Sequence, residues 1–307
     1  MNTVLSLTAI LFFPSGLFLL ASGLLFEWAD RKLVARFQNR VGPRWFQPLA
    51  DVVKLLAKEE IVPDGVHAGL FTGLPIVALA SVLTAALYAP LVGLPPSYSF
   101  PGDLIVTVYL LSLPTLCVGL AGANTIDRFS LIGATRALTQ LFSYEAPFLL
   151  ALLGPAIVTG SWQIDEVMRA ANGRWLLLTQ PFGFVVAVIG LMGKLELPPF
   201  DAPEAETEVV AGALTEYSGR GLALFHLAKD VCLVVGLTLI AAFYLGGVPN
   251  PLVYFGKTLV LLLGIAGLQS LFARLRIDQT VSLWWRYGTL LVLAQWFVMI
   301  AWKVLVS

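Results

Sequence analysis

Residues 222–245 read LALFHLAKDVCLVVGLTLIAAFYL, an apolar run in which Lys229 and Asp230 are the only charged residues. A helix needs about 20 predominantly apolar residues to cross the roughly 30 Å hydrocarbon core of a bilayer. The 307-residue chain is 58% hydrophobic and 12% charged, whereas soluble domains carry about 25% charged residues. The composition excludes an ordinary soluble fold and predicts an all-α, polytopic membrane helical bundle.

Similar apolar runs recur along the whole chain and predict about eight transmembrane helices. The predicted spans are residues 4–26, 69–91, 103–123, 138–160, 174–193, 222–245, 254–272 and 283–304. The first lacks a basic leader and a small-residue cleavage site, so we expect a retained helix and not a signal peptide. No internal repeat or long linker divides the chain, and residues 1–307 are predicted to form a single integral membrane domain.

The basic residues are distributed unevenly between alternate loops. Of the 19 Lys and Arg residues, all except Arg169, Arg174, Lys257 and Lys303 lie in or beside the loops after the first, third, fifth and seventh spans. The positive-inside rule therefore predicts that these loops are cytoplasmic and that both termini lie outside. We expect the chain to reside in the cell inner (cytoplasmic) membrane.

Cysteine and histidine are too sparse to suggest a metal or redox centre. Cys117 and Cys232 lie far apart in separate apolar runs, with no CxxC motif, and His67 and His226 are the only histidines. Structural metal sites and iron–sulfur clusters need several such ligands at short spacing. We therefore expect no disulfide, no metal and no cofactor bound by this chain, and no nucleic-acid partner.

The longest polar stretch, residues 27–64, reads EWADRKLVARFQNRVGPRWFQPLADVVKLLAKEEIVPD. Leu49, Val52 and Leu56 recur at helical spacing and predict a helix that lies in the membrane interface or under a partner. Arginines at positions 36, 40 and 44 also recur at four-residue spacing and suggest a rigid cationic face that docks a soluble subunit. The alternative is a cationic loop that only obeys topology and binds lipid headgroups. The residues assigned to docking here are Arg31, Arg36, Arg40, Asp51 and Lys54.

A second loop, residues 194–220, is unusually acidic and reads KLELPPFDAPEAETEVVAGALTEYSGR. Asp201, Pro203 and Glu204 have the form of an N-cap, a first-turn proline and a capping glutamate, which predicts a helix start. Crowded carboxylates beside apolar residues suit an ion relay, because burial and like charges raise carboxyl pKa values. The alternative is a solvated acidic helix cap. The carboxylates of this loop are Glu196, Asp201, Glu204, Glu206, Glu208 and Glu216.

Glu145 lies early in the fourth predicted span, and Lys229 and Asp230 lie about two turns into the sixth. A charge at the centre of a spanning helix costs about 2.5–3.5 kcal/mol on insertion scales, so such groups usually pair or line a hydrated path. For Lys229 and Asp230 a salt bridge and a relay role are both open. No cation lies within four residues of Glu145 in its own helix, which favours a role in an ion path.

Six segments together resemble the complex I subunit 1 family, which is the H-subunit family of NADH-quinone oxidoreductases, over nearly the whole chain. They are ARFQNRVGP (35–43), QPLADVVKLLAKE (47–59), SYE (143–145), PFDAPEAETEVVAG (199–212), TEYSG (215–219) and RLRIDQ (274–279). The resemblance implies a non-redox membrane subunit that contacts a soluble redox arm around a cavity. It also implies a carboxylate chain that feeds protons toward antiporter-like membrane subunits.

The resemblance implies roles for particular residues of this sequence. The relay would comprise Glu145, Asp201, Glu204, Glu206, Glu208 and Glu216, with Lys229 and Asp230 as further members. The cavity or docking face would be bordered by Arg36, Arg40, Arg274, Arg276 and Asp278. The implied partners are hydrogenase-like large and small subunits and iron–sulfur subunits of the soluble arm, antiporter-like membrane subunits, and lipid.

The sequence departs from the quinone-reducing branch of this family. Only residues 44–46 separate Gly42-Pro43 from Gln47-Pro48, where the quinone enzymes carry a longer glycine-containing insert. Lys194 and Leu197 replace the Glu-x-x-Arg of those enzymes, and Asp30 replaces a usual Glu. The short loop resembles the equivalent subunit of energy-converting membrane-bound hydrogenases and their ferredoxin-linked relatives.

The leading hypothesis is therefore an ion-translocation subunit of a hydrogenase-like, ferredoxin-linked complex that moves H⁺ or Na⁺. The alternative is the quinone-binding H subunit of an NADH-type quinone oxidoreductase, with a quinone in the cavity behind Arg36 and Arg274. A stand-alone secondary transporter is a third hypothesis. It predicts inverted repeats with broken helices at matching positions, and the sequence shows neither.

Overall fold

The structure is a computed structural model that describes the backbone of residues 11–306, and their side chains except those of residues 206 and 302–306. All regular structure in this part of the chain is helical, which confirms the predicted all-α class. The helices are α1 Gly16–Phe37, α2 Gln47–Ala57, α3 Ala68–Ala86, α4 Asp103–Ala123, α5 Arg128–Thr159, α6 Ile164–Ala171, α7 Leu176–Thr179, α8 Pro181–Lys194, α9 Glu206–Val209, α10 Gly219–Tyr244, α11 Pro251–Leu271, α12 Ile277–Ser282 and α13 Thr289–Val306. A π-helical segment, Leu283–Gly288, joins α12 to α13.

Five of the described helices are long and apolar enough to cross a membrane, and the chain is membrane-embedded. They are α3 with the turn that follows it (Ala68–Gly93), α4, α5, α10 and α11, while α8 is apolar but shorter. The first predicted span, residues 4–26, begins in residues that the structure does not describe. The count of eight spans and the orientation of the termini stay predictions.

Helix α10 forms the centre of the bundle. It packs against α1, α3, α8 and α11, and every residue from Asp230 to Tyr244 is buried. A helix that is apolar on all sides is buried either in lipid or among other helices, and here other helices surround it. The central position explains why charges on α10 matter for function: they lie among other helices and not against lipid.

Hydrogen bonds between loops define the two ends of the bundle. The Asn124 Nδ2 donates to the His67 carbonyl at 3.2 Å, and the Leu275 amide donates to the Pro199 carbonyl at 2.9 Å. These bonds bring residues 38–67, 124–127, 195–218 and 272–276 together at one end, called here the acidic-loop end. Loops that follow alternate membrane spans must lie on the same side of the membrane, and these four segments are such loops. At the opposite end the Gly173 amide donates to the Gly246 carbonyl at 3.3 Å.

Two tyrosines compensate for prolines inside helices. Proline has no N–H, so Pro75 and Pro155 leave the carbonyls four residues earlier without their helical donor. The Tyr217 hydroxyl donates to the Phe71 carbonyl at 3.2 Å, and the Tyr244 hydroxyl donates to the Ala151 carbonyl at 2.5 Å. Each bond also ties the loop or helix that carries the tyrosine to the proline-containing helix.

Several predicted spans differ from the structure. Helix α1 runs to Phe37, beyond the predicted end of the first span at residue 26. The fifth, residues 174–193, is broken at Gln180 into α7 and α8, because Pro181 cannot donate and disfavours a helical residue before it. Gln180 accordingly has φ −131° and ψ 56°. The fourth, residues 138–160, begins earlier, since the Asp127 side chain caps α5 by accepting from the Ser130 amide at 2.9 Å.

The helix predicted to start at Asp201 is absent, and that prediction was wrong. The only helix there is the single turn α9, Glu206–Val209, whose N-cap is Ala205. The Asp201 carboxylate is bound by the Arg274 side chain and is not available to cap a helix. A long-range ion pair has outweighed a local capping pattern.

The first polar loop is partly as predicted. Helix α2 forms where the periodicity places it, with Val52 buried and Leu49 exposed. The rigid cationic face does not form as one helical stripe. Helix α1 ends at Phe37 and the next turn includes Asn39 at φ 59°, so the arginines at positions 40 and 44 lie beyond it.

Candidate functional site

A charged pair lies between α4, α5 and α8. The Lys194 ammonium is 3.0 Å from Glu145 Oε2 and 3.0 Å from the Ser112 hydroxyl oxygen, and that hydroxyl hydrogen-bonds Glu145 Oε1. The Lys194 side chain is fully buried, 5.3 Å from the ring centroids of Tyr144 and Phe148. Burial of these charges is compensated by the pairing and by the rings beneath the cation. The partner of Glu145 therefore comes from a different helix.

A second ion pair, between Lys229 and Glu204, lies nearer the acidic-loop end. The Lys229 ammonium, on α10, binds Glu204 Oε1 at 2.7 Å. A cavity of about 40 Å³ separates this pair from Lys194 and is also lined by Glu196 and His226. A cavity of that size can hold water between polar groups. It adjoins both pairs, of which Lys194 is fully buried while the Lys229 and Glu204 side chains are 30% and 44% exposed.

Glu196 is the buried carboxyl between the two pairs, just after the end of α8. Its side chain makes no ion pair, and Oε1 has no hydrogen-bond partner among the described residues. Burial, and then the negative charge of Glu204, raise the pKa of Glu196 from its ordinary value of 4.5 to about 7, while the Lys229 charge acts in the opposite direction. Glu196 can therefore gain or lose a proton near neutral pH.

A third polar group lies between α1, α2 and α10. Arg31 forms ion pairs with Glu27 in its own helix and with Asp51 of α2, the latter at 3.4 Å. The buried Asp230 carboxyl faces Glu27. These four residues line a cavity of about 280 Å³, and His226 lines both this cavity and the smaller one. The histidine thus connects the third group to the second.

Arginine pairs occupy the surface at the acidic-loop end. Asp201 accepts two hydrogen bonds from Arg274, at 2.8 and 2.6 Å, and Glu208 accepts one from Arg136 at 2.7 Å. Both arginines border an open cavity of about 480 Å³. The Glu208 side chain is 52% exposed, so it is not buried beside apolar residues as the sequence predicted. Both carboxylates are bound by arginines that border this open cavity, and neither lines the cavity between Lys194 and Lys229.

The remaining predicted site residues are dispersed. Arg276 and Asp278 form an exposed pair at 3.6 Å beside the open cavity, and Lys54 borders the cavity of Asp51. Arg36 and Arg40 are exposed on the first loop. Glu216 is half-buried and pairs with no described cation, while the side chain of Glu206 lies outside the described residues.

Sequence reasoning missed Ser112, Lys194, Glu27 and His226 as members of the polar region, and counted Glu196 only as one more loop carboxylate. The available signal was a charge at the end of an apolar run, which describes Glu27 and Lys194. A polar residue in a span has too many structural explanations to be singled out without its neighbours. Within the described part of the chain, no three His, Cys, Asp or Glu side chains come together as metal ligands.

Comparison with known proteins assigns the chain to a family. The family model described as NADH dehydrogenase matches residues 8–300. The H subunit of the NADH-quinone oxidoreductase of Dehalococcoides mccartyi (strain CBDB1) is 32% identical over 301 residues, covering 94% of this chain and 85% of the relative. That of Geobacillus sp. (strain WCH70) is 33% identical over 297 residues, covering 90% and 89%.

A solved structure has the same fold. It is a chain of a membrane-bound sulfane sulfur reductase, an archaeal respiratory membrane complex, with a TM-score of 0.84 and 24% identity, covering 95% of this chain and 97% of that chain. The curated relatives are named as subunits, so proteins of this kind work with other subunits of a complex. The chain therefore belongs to the NADH dehydrogenase family, as a membrane subunit of a complex I-related respiratory complex.

Proposed function

We propose that the chain is the membrane-anchor and ion-translocation subunit of a ferredoxin-linked, hydrogenase-like complex. It lies in the cell inner membrane with the acidic-loop end in the cytoplasm. Its partners are hydrogenase-like and iron–sulfur subunits of a soluble arm, and antiporter-like membrane subunits. Electron transfer occurs in the soluble arm, and this chain moves H⁺ or Na⁺ in response.

The observation that carries the proposal is a set of ionisable groups at the acidic-loop end of the bundle, connected by two cavities that share His226. Cavities link the group around Asp230 to Lys229 and Glu204, then to Glu196, and then to Lys194 with Glu145. Buried ionisable groups in a membrane protein are costly, and their usual roles are pairing and ion conduction. A purely structural set of pairs would not require the intervening Glu196, which has no ion pair.

The pairs and the lone carboxyl have different tasks in this mechanism. Lys194 and Lys229 each form an ion pair with one carboxylate, Glu145 and Glu204 respectively. Glu196 lies between them and changes its proton occupancy near neutral pH. A change at the redox arm that moves either lysine would alter the charge felt by Glu196, so that it takes a proton from one side and releases it to the other.

Glu196→Gln tests the proposal directly, because it keeps the shape of the side chain and removes the titration. The complex is purified with all its subunits and reconstituted in vesicles, and ion uptake is measured per electron transferred. We expect that ratio to fall. The matched control is Glu166→Gln, an exposed glutamate of α6, which should leave it unchanged. An unchanged ratio in Glu196→Gln would refute the relay.

The alternative function is that of a quinone-binding subunit, and the names of the relatives favour it. The open cavity of about 480 Å³ beside Arg274 is within the size range of small-molecule sites, about 300–1,000 Å³. Arg36 does not border it, contrary to the sequence-based expectation of a shared cavity. Reduction of an added soluble quinone by the purified complex, abolished by a quinone-site inhibitor, would establish this function in place of the first.

A further inference from the structure

Helix α2 of the first loop carries an exposed apolar stripe. Leu49, Val53 and Leu56 recur at intervals of four and three residues, which puts them on one face of the helix, and all three are exposed. Pro48 and Val52 form a different face, which is buried against the bundle. The described part of the chain therefore leaves the stripe uncovered.

The polar face of α2 lies on the other side of the helix from this stripe. Gln47, Asp51 and Lys54 recur at helical spacing and lie nearly opposite the stripe at about 3.6 residues per turn. The 11 residues of α2 extend over roughly 16 Å and cannot cross a hydrocarbon core of about 30 Å. A helix that does not span and has opposed apolar and polar faces is typical of the membrane interface.

Packing places α2 at the edge of the membrane. The helix contacts α10, and Val52 and Leu55 line the cavity of about 280 Å³ together with Leu222 and His226. The apolar run of α10 starts at Leu222, so these contacts lie within the first two turns of a predicted span. The exposed stripe of α2 is therefore at the level where hydrocarbon meets the lipid headgroups.

Three arginines lie just before α2. Arg36, Arg40 and Arg44 are exposed, and none of them forms an ion pair with a described residue. Residues 31–50 contain five basic side chains and no acidic one. The Arg40 amide donates to the Ala35 carbonyl at 2.6 Å, which ties the turn to the end of α1. The arginines therefore form a cationic surface without a countercharge in the described chain.

Two aromatic residues connect the arginines to the apolar stripe. Trp45 and Phe46 follow Arg44 directly and are both exposed, with their ring centroids 5.9 Å apart. Tryptophan is enriched at membrane interfaces, because its ring is apolar and its N–H can reach water or headgroups. Cationic, aromatic and apolar side chains thus follow one another in the order in which a phospholipid presents its phosphate, its headgroup boundary and its acyl chains.

We propose that the turn before α2 and the exposed stripe of α2 together bind anionic phospholipid. The three arginines bind phosphate groups, to which a guanidinium can donate two parallel hydrogen bonds. The stripe inserts among the acyl chains. A cationic surface without a countercharge selects a negatively charged ligand, and an apolar stripe at the membrane edge selects lipid over a soluble subunit. The lipid site does not depend on the proposed relay.

Titration of the purified complex with lipid tests the proposal. The complex in detergent receives phosphatidylglycerol or, separately, phosphatidylcholine, and its thermal midpoint is recorded at each concentration. A ligand that binds the native state raises the midpoint, and we expect phosphatidylglycerol to act at lower concentration than phosphatidylcholine. Each arginine near an anionic headgroup contributes about fivefold to affinity. Arg36→Gln/Arg40→Gln/Arg44→Gln should therefore shift the phosphatidylglycerol titration to about 100-fold higher concentration.

A matched control separates a site from general charge attraction. Lys58→Gln/Arg128→Gln/Arg220→Gln removes the same charge from exposed positions at the acidic-loop end and should leave the titration unchanged. An equal shift in both triple variants would overturn the site, and so would a wild-type complex that does not distinguish the two lipids. Loss of soluble subunits from the arginine variant in gel filtration, with the lipid titration unchanged, would assign the arginines to protein docking and would also overturn it.

A second measurement leaves the arginines intact. Phosphatidylglycerol with brominated acyl chains quenches the fluorescence of tryptophan that it contacts. Quenching should be greater in the wild-type complex than in Trp45→Phe, because Trp45 lies between the arginines and the stripe. Equal quenching in the two complexes would refute contact between this surface and lipid.

Discussion

Replacing Lys194 by methionine should destabilise the protein through Glu145. The substitution leaves a carboxylate in the bundle with only the Ser112 hydroxyl as partner. Removing one partner of a buried ion pair costs about 3–5 kcal/mol. The Glu145 side chain is 19% exposed and keeps one hydrogen bond, so we expect about 3 kcal/mol, at the lower end of that range.

The double variant Lys194→Met/Glu145→Gln provides the decisive comparison. With both charges gone, the unpaired carboxylate no longer exists, and most of the lost stability should return. The coupling between the two substitutions should therefore exceed about 1 kcal/mol and have the sign of a rescue. Lys58→Met is the matched control, because Lys58 is exposed and forms no ion pair with any described residue.

The assay is thermal unfolding of the detergent-purified complex, followed by fluorescence-detected gel filtration. A loss of about 3 kcal/mol corresponds to a fall in the midpoint of roughly 5 °C for a chain of 307 residues, at about 2.1 cal/mol/K of unfolding entropy per residue. Additive effects of the two substitutions would refute the reasoning, since they would mean that Lys194 and Glu145 do not interact energetically. So would a destabilisation by Lys58→Met equal to that of Lys194→Met.

Two further predictions concern stability. Because Glu196 has a pKa of about 7 in the folded protein, against 4.5 ordinarily, the native state binds more protons in this interval. Stability should therefore fall as pH rises from about 5 to 7 and level off above it, and Glu196→Gln should remove this slope in denaturation measured across pH; a slope that persists would contradict it. Tyr244→Phe should cost about 1–3 kcal/mol by leaving the Ala151 carbonyl without a donor, and Pro155→Ala in the same chain should restore part of that loss by supplying the helical N–H. No rescue in thermal unfolding would contradict this explanation.

The fold class could be predicted from the sequence because it depends on local quantities. Apolar run lengths set the membrane spans, and the spacing of Leu49, Val52 and Leu56 placed α2. The break at Gln180 was also within reach, since Pro181 signals it locally. The ion-pair partners of the charged residues could not be predicted from the sequence. Lys194 lies 49 residues from Glu145 on another helix, and no spacing rule in the sequence connects the two.

The acidic loop shows how long-range pairing changes a local interpretation. Asp201 has the local features of an N-cap, but the 73-residue separation from Arg274 in sequence hides the bidentate pair that it makes. The pair with Arg274 supplies two parallel charge-assisted hydrogen bonds, whereas an N-cap carboxylate accepts from one helix amide. The side chain therefore binds Arg274, and the segment stays non-helical until α9.

These pairings reduce the number of carboxylates that can belong to the proposed relay. Glu208 binds an arginine at the surface, where solvent screens its charge, and Asp201 is held by two hydrogen bonds from Arg274. Among the carboxyls that line the two cavities, Glu196 and Asp230 are the most buried, each 8% exposed. An ion path through the protein interior needs buried ionisable groups, because an ion at the hydrated surface can move through water alone. The number of acidic residues in the loop is therefore a poor guide to function. The informative residue is Glu196, which forms no ion pair with any described residue.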